Sequence, residues 1–258
     1  MPIWSCTIYQ INPAVSKYVE EMLQAVNREY VYKDNIKGHK LTFYIRSRHQ
    51  NGYGQLIEIE VDDLLRLYNR ERGTYHAKIT FDMTLQIFQR EPVNNFIAVF
   101  GNSQRVRIFR IQFTEVFRRE KRTPELPLVS IRFLLRERES CLRNEFPDMR
   151  EISVSNIRDM YVRGAVIRGS LLEESPEYSK YILDEEIGGI IRHFGITVRD
   201  IRERVIILTS DGRIYTRMGR ESVEVDTVYM ILDKLKRCDA IRVSLARYRP
   251  LDAYYTES

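Results

Sequence analysis

Several features that would point to a specific chemistry are missing from this sequence. No apolar run approaches the roughly 20 residues that a membrane-spanning helix needs, and the first residues lack the basic start and apolar core of a secretory signal. The 3 cysteines lie far apart without a CxxC pair, so neither a zinc site nor a disulfide framework is indicated. The sequence also lacks a P-loop, a GxGxxG motif and a GxSxG motif. We therefore expect a cytoplasmic protein with no membrane partner and no cofactor.

Charge is abundant, and most of the basic residues are arginine. Of the 258 residues, 43% are hydrophobic and 30% are charged, a balance typical of folded rather than disordered chains. The 41 basic residues include 9 lysines, which leaves 32 arginines, and the formal net charge is +5. The planar arginine fork binds phosphate and stacks on rings. Arginine interleaved with glutamate also forms ion-pair networks, so composition alone leaves both uses open.

Two stretches of the chain share a pattern. Residues 58–70 (EIEVDDLLRLYNR) and residues 151–169 (EISVSNIRDMYVRGAVIRG) both begin as a strand and continue with helical spacing. Aligning their first glutamates sets Tyr68 on Tyr161. A second match, at nearly the same offset and in the same order, sets Phe100 on Phe194. This order favours duplication, while convergence of two similar strand-helix units stays open.

The fold prediction follows from this repeat. We expect an α+β protein of two similar halves related by an internal pseudo-two-fold, with mostly antiparallel sheets and packed helices. The predicted halves are residues 1–120 and 121–258. A charged, proline-bounded linker at about residues 118–127 joins them.

Local patterns predict the individual elements. Asn51-Gly52 and Asp211-Gly212 are favoured hairpin turns. Predicted helices are Val15–Tyr30, a helix capped by Asp62 and ending at Gly73, a helix capped by Ser155 or Asn156 and ending at Gly169, Tyr181–Phe194, and Val225–Cys238. Predicted strands are Leu41–Ser47, Leu56–Val61, Thr74–Thr84, Arg105–Phe117, Leu128–Arg138, Glu151–Val154, Arg204–Leu208, Arg213–Met218 and Ala240–Arg247.

Residues 159–183 (DMYVRGAVIRGSLLEESPEYSKYIL) carry a family resemblance. The segment VRGAVI and the following Gly169-Ser170 resemble the signature helix of the LAGLIDADG homing-endonuclease-like fold, closest to its degenerate, WhiA-regulator-like members. The resemblance covers about residues 128–220 and, by analogy, 40–115. It implies two repeats that form a saddle of β-sheets over DNA. Active members carry an acidic residue at the end of each signature helix, whereas here only Glu71 is available, so the resemblance implies DNA affinity without nuclease activity.

Acidic and histidine side chains do not form a convincing reactive group. The four histidines have no ligand spacing. Glu58 and Glu60 share one face of a strand, where they could hold a metal or simply face solvent. We expect no catalytic residue and no metal ligand. A metal-dependent nuclease using Glu58, Glu60 or Glu71 is the third functional hypothesis.

Arginines recur among aliphatic residues on the predicted strands. A sheet with arginines on one face can lie on a phosphate backbone. The sequence therefore predicts a non-catalytic nucleic-acid-binding protein, with DNA rather than RNA as its partner. The alternative is a scaffold or subunit of a protein or nucleoprotein complex, with the same faces contacting a protein. The predicted nucleic-acid-binding residues are Arg46, Arg48, Arg105, Arg107, Arg110, Arg132, Arg136 and Arg138.

Overall fold

A computed structural model describes residues 5–33, 40–70, 73–169, 171–184, 186–199, 203–216 and 223–243. These residues form an α+β fold whose paired strands are antiparallel, as predicted. The strands are β1 (Ser5–Ile11), β2 (Glu29–Lys33), β3 (Lys40–Asn51), β4 (Gly54–Asn69), β5 (Gly73–Phe88), β6 (Phe96–Phe100), β7 (Leu128–Phe133), β8 (Met149–Ser155), β9 (Gly164–Arg168), β10 (Ile190–Arg199), β11 (Glu203–Thr209), β12 (Arg213–Thr216) and β13 (Ile241–Val243). The α-helices are α1 (Ser16–Gln24), α2 (Ser103–Lys121), α3 (Glu139–Glu145), the single turn α4 (Pro176–Tyr178) and α5 (Val225–Arg237). Within the described ranges, no helix has the length and apolar character needed to span a membrane.

The described chain divides into two compact units. Residues 9–130 belong to the first unit, and residues 5–8 and 131–243 belong to the second. Both boundaries fall inside strands, namely β1 and β7. The predicted linker has no counterpart over its first residues, because α2 continues to Lys121.

The first unit is a sheet covered by helices α1 and α2. Its strands lie in the order β2-β3-β4-β5-β6-β1, and β1 also pairs with the start of β7. Phe43 of β3 stacks on Tyr30 with ring centroids 4.8 Å apart, and it meets Phe109 of α2 edge-on at 6.1 Å. Phe113 and Phe117 continue this aromatic contact along the helix. Offset and edge-on rings are the favoured aromatic geometries, so this core fixes α2 against one face of the sheet.

The predicted strand Arg105–Phe117 is wrong, because this segment forms most of α2. Its buried residues include Val106, Phe109, Phe113, Val116 and Phe117, which recur at intervals of three and four as on one side of a helix. A near-alternation of the β-branched residues in this segment produced the strand prediction. Asn102 begins the helix, since its side chain accepts a hydrogen bond from the Arg105 N–H at 2.9 Å.

The second unit contains a second antiparallel sheet. Its strands lie in the order β9-β8-β10-β11-β12, and β12 pairs with Ser5–Thr7 of β1. The remainder of β7 pairs with β13. Helix α5 buries the side chains of Val228, Ile231, Leu232 and Leu235. The helix therefore has the inward face that its sequence predicted.

A disulfide joins α3 to the end of α5. Cys141 and Cys238 are bonded, with Cα atoms 5.7 Å apart. The sequence, in which the cysteines lie far apart without a CxxC pair, did not indicate this disulfide. Cys6 is the free cysteine and is buried, which raises the pKa of its thiol. Disulfides are rare in a reducing cytosol outside hyperthermophiles, so the cytoplasmic location stays a prediction.

Three predicted helices are wrong, because long-range strand pairing overrides the local pattern. Asp62 caps no helix; it lies inside β4, which pairs with β5 as far as Asn69 opposite Gly73. Residues 156–163 form a loop, and residues 164–168 form β9 against β8. Residues 181–183 end a π-helical turn, and β10 begins at Ile190.

These corrections remove the predicted residue equivalences of the repeat. Tyr68 lies in a strand, whereas Tyr161 lies in a loop. Phe100 ends β6, whereas Phe194 lies inside β10. Both hairpins are confirmed: Gly52-Tyr53, one residue later than predicted, lies between the paired Asn51 and Gly54, and Asp211-Gly212 joins β11 to β12. Both two-residue turn signals thus held, whereas three of the five periodic helix patterns did not.

Candidate nucleic-acid interface

The β3 arginines of the first unit do not share one face. A bulge between Ile45 and Ser47 inserts Arg46 as an extra residue in β3. Arg46 bonds Glu60 and lies 3.1 Å from Asp82, on the sheet face away from α2. The Glu60 hydrogen bond raises the pKa of Arg46. The charge of Arg46 is therefore compensated by two carboxylates.

Arg48 lies on the other side of this bulge. It is exposed and is directly opposite Ile57, which is a fully buried residue of β4. Directly opposed residues of an antiparallel pair point to the same face, so Arg48 faces the α2 side. No described residue makes an ion pair with it. Among the described residues, Arg48 is therefore a positive charge without a carboxylate partner rather than part of an arginine-lined sheet.

The other three predicted arginines of the first unit lie on α2 instead of on a strand. The guanidinium of Arg105 lies over the Phe81 ring at 5.0 Å, and that of Arg110 lies over the Tyr9 ring at 5.4 Å. Both are half-buried, and Arg107 is exposed. Cation–π contacts of this kind stabilise the helix on the sheet. The predicted sheet surface is therefore not formed by Arg105, Arg107 and Arg110.

Arg132, in the second unit, lies opposite a second arginine on the neighbouring strand, a pairing that the sequence did not reveal. It lies on β7 directly opposite Arg242 of β13, and both side chains are exposed. Within the described ranges, no carboxylate makes an ion pair or hydrogen bond with either guanidinium. Ile131 and Phe133 on either side of Arg132 are buried, so the two arginines share the outer face of the strand pair.

Like charges directly opposite one another destabilise a strand pair. Two arginine side chains at directly opposed positions can both donate N–H groups to one phosphate. We call Arg132 and Arg242 the arginine pair. Its unbalanced charge makes it the best anion-binding arrangement among the eight predicted residues and their contacts.

Arg136 and Arg138 follow β7, and their environments differ. Arg138 forms a 2.7 Å ion pair with Asp239, the second residue before β13. Arg136 donates to the Gly189 carbonyl, which leaves its formal charge without a carboxylate partner among these contacts. Arg136 therefore adds positive charge to the second unit, whereas the charge of Arg138 is compensated.

The two most buried carboxylates connect neighbouring strands of the sheets. Asp62 is 3% exposed, and its carboxylate accepts hydrogen bonds from Thr42 and Thr80. It also forms an ion pair with Lys78 at 2.7 Å. Burial works to raise the pKa of Asp62, but these hydrogen bonds outweigh it and lower the pKa. Gln112 of α2 also donates to the Asp62 carbonyl at 2.6 Å. Asp62 therefore ties three strands to the helix.

Glu151 plays the same part in the second unit. It is 3% exposed and bonds Arg168 at 2.6 Å and His193 at 2.9 Å, which places one residue on each of β8, β9 and β10. Gly195 lies opposite Glu151. A Cβ at position 195 would come within 2.8 Å of the Glu151 Cβ, so glycine provides the room for this buried acid.

The acids of the nuclease hypothesis have ordinary partners. Glu58 accepts a hydrogen bond from Ser47 at 2.7 Å, and Glu60 bonds Arg46. Glu71 lies outside the described residues. In the part of the chain that the structure describes, no cluster of three histidine, cysteine or acidic side chains could hold a metal ion.

Arg242 and the loop at residues 156–163 were missed by sequence reasoning. Arg242 lies in a short terminal strand, and only the pairing of β7 with β13 brings it to Arg132. The loop was predicted as a helix, although its Asn156 and Asp159 are residue types that favour turns. The chain matches no protein-family model, no curated protein and no solved structure.

Proposed function

We propose that the second unit binds nucleic acid, without catalysing a reaction on it, through the arginine pair. The observation that supports this most directly is the placement of Arg132 opposite Arg242 with both side chains exposed. Selection for stability alone would favour an acid at one of the two positions. A phosphate bound between the guanidinium groups would offset their repulsion and give both arginines charge-assisted hydrogen bonds.

Salt dependence of binding tests this proposal. Each phosphate contact made by a cation adds about 0.9 to the magnitude of the slope of log K against log[salt] for duplex DNA. We therefore expect Arg242→Ala and Arg132→Ala each to weaken binding and to make this slope shallower by about 0.9. Fluorescence anisotropy with labelled duplex DNA, single-stranded DNA and RNA, at several salt concentrations, measures both effects.

The matched control is Arg213→Ala. Arg213 is also a strand arginine of the second unit and is half-buried, but its guanidinium is paired with Asp211 at 2.9 Å. Its loss should change the slope much less. Equal slopes in Arg213→Ala and Arg242→Ala would mean that only net charge matters. Absence of binding at low salt would refute the proposal altogether.

A charge reversal adds a second readout. Arg242→Glu should form a cross-strand ion pair with Arg132, which raises the thermal midpoint while weakening binding. A variant that becomes less stable and binds more weakly would instead have lost structure.

A second candidate is a scaffold or subunit of a protein complex, and the first unit offers an observation in its favour. Beyond Val61, β4 continues with β5 as a hairpin, and Leu65, Tyr75 and Ile79 on one face of it are each at least 40% exposed. Exposed apolar side chains of this kind mark protein contacts. This function predicts that Leu65→Ser with Ile79→Ser abolishes a protein complex and leaves nucleic-acid affinity unchanged.

We also infer a duplication, with other equivalences than those predicted. The first unit runs from β1 through α1, five strands and α2 to β7, which pairs with β1. The second runs from β7 through α3, two strands, the additional turn α4, three strands and α5 to β13, which pairs with β7. This order matches α2 with α5. A pseudo-two-fold, a LAGLIDADG-like fold and a preference for DNA stay predictions, and the segment of the family resemblance contributes no residue to the arginine pair.

A further inference from the structure

The loop at residues 156–163, between β8 and β9, presents two large side chains to solvent. Met160 is 81% exposed and Tyr161 is 87% exposed, the highest values among the exposed large hydrophobic residues of the described chain. We call this segment the Tyr161 loop. A single exposed apolar residue needs no explanation. Two adjacent residues with such high exposure do, because burial of each side chain would stabilise the protein.

The Tyr161 loop is held in its shape by specific bonds. The Asp159 carboxylate accepts hydrogen bonds from the N–H groups of Tyr161 at 2.9 Å and Val162 at 3.2 Å. Its other oxygen is 2.6 Å from the Lys180 ammonium group. At the base of the loop, Ile157 is buried and donates its N–H to the Arg163 carbonyl at 3.2 Å. Tyr161 is thus exposed on a loop whose backbone is fixed by hydrogen bonds and an ion pair.

The exposed charged residues of the Tyr161 loop are basic. Arg158 and Arg163 are exposed, and neither guanidinium pairs with a carboxylate of the described residues. The one acid, Asp159, is occupied by Lys180 and the loop N–H groups. An exposed aromatic ring flanked in sequence by two arginines that pair with no described carboxylate suits a ligand that combines a flat π-face with phosphate charge.

We propose that the Tyr161 loop is a stacking site for an unpaired base of a single-stranded nucleic acid. The proposal rests on the proposed function and deepens it by naming the class of nucleic acid. Bases of a duplex are stacked on one another and offer only their edges in the grooves. An unpaired base offers its face to an aromatic side chain, and flanking arginines contact the adjoining phosphates.

Three substitutions at Tyr161 separate stacking from hydrophobic contact. Tyr161→Phe keeps the ring, Tyr161→Leu keeps an apolar side chain without a ring, and Tyr161→Ala keeps neither. The probe is a labelled 12-nucleotide single strand, compared with the duplex of the same sequence. Because the side chain is exposed, the thermal midpoint should be the same in all variants, which verifies folding.

We expect the Ala and Leu variants to bind the single strand roughly 5- to 150-fold more weakly, the equivalent of about 1–3 kcal/mol per stacked base. Tyr161→Phe should bind like wild type. The salt slope should stay unchanged, since no charge is removed. A 2-aminopurine base in the strand should be quenched by the Tyr and Phe proteins and not by the Leu protein.

Several outcomes would overturn the stacking site. If Tyr161→Ala binds the single strand as tightly as wild type while the slope still depends on Arg242, the proposed function stands and this inference fails. Equal losses on single strand and duplex exclude an unpaired base. If no oligonucleotide binds at low salt, both proposals fail. Tyr161-dependent binding to vesicles of anionic lipid, without oligonucleotide binding, would assign the loop to a membrane surface instead.

Discussion

The disulfide between Cys141 and Cys238 allows the most quantitative prediction from this structure. It joins two residues separated by 97 positions and closes most of the second unit into one loop. Reduction opens the loop without removing any atom of the folded core. We therefore expect the reduced protein to fold to the same structure with a lower free energy of unfolding.

The magnitude follows from chain entropy. A cross-link stabilises a protein mainly by restricting its unfolded state, and a loop of about 100 residues corresponds to about 4.7 kcal/mol at 25 °C. Measured values cluster at about 2–4 kcal/mol, because real unfolded chains retain structure. We expect reduction to lower the free energy of unfolding by about 3–5 kcal/mol. This loss is a large share of the stability of an ordinary domain.

Urea unfolding of the oxidised and the reduced protein measures this difference. The double variant Cys141→Ala with Cys238→Ala should resemble the reduced protein and should not respond to reductant. Intact-protein mass after alkylation counts the thiols, with one expected in the oxidised chain because Cys6 is free. Coincident unfolding curves for the oxidised and reduced protein would refute the entropic reasoning. Three free thiols in protein purified without reductant would refute the disulfide itself.

Two further predictions concern the buried acids. Asp62 has a lowered pKa, so its contribution is present above its unfolded pKa and is lost as the pH falls through the folded value. Asp62→Asn should therefore cost about 1–3 kcal/mol at neutral pH and nearly nothing in acid; a pH-independent cost would contradict this. Gly195→Ala should cost about 1–3 kcal/mol by crowding Glu151. Gly52→Ala, whose Cβ meets no atom within 4 Å, is the control and should be neutral in the same urea assay.

Much of the fold was predictable wherever a short stretch decides its own structure. Helix α5 and the two hairpin turns are examples, since a helical apolar stripe or an Asn-Gly pair acts within a few residues. The segment 62–69 shows the opposite case. Its spacing fits a helix, but it forms the end of β4, whose sixteen consecutive pairings with β5 give a strand. Such pairing depends on the whole sheet, so no local window reports it.

The candidate interface was predictable to the same degree. Arg132 follows from its position on a strand with buried neighbours. Its pairing with Arg242 depends on a register between segments more than a hundred positions apart, which no local pattern encodes. The bulge at Arg46 is a comparable case, because one inserted residue sends Arg46 and Arg48 to opposite faces.

The two units differ in how their charged and aromatic side chains are partnered. In the first unit, Arg46 is compensated by two acids and Asp62 is fully hydrogen-bonded, so these charges serve the fold. In the second unit, the arginine pair sets like charges opposite one another and Tyr161 is exposed by a bonded loop. Both features reduce the stability of the fold, and neither forms a contact that the fold requires. Natural proteins keep such violations of local rules at functional surfaces, and a ligand with phosphate groups and unpaired bases would satisfy both of these.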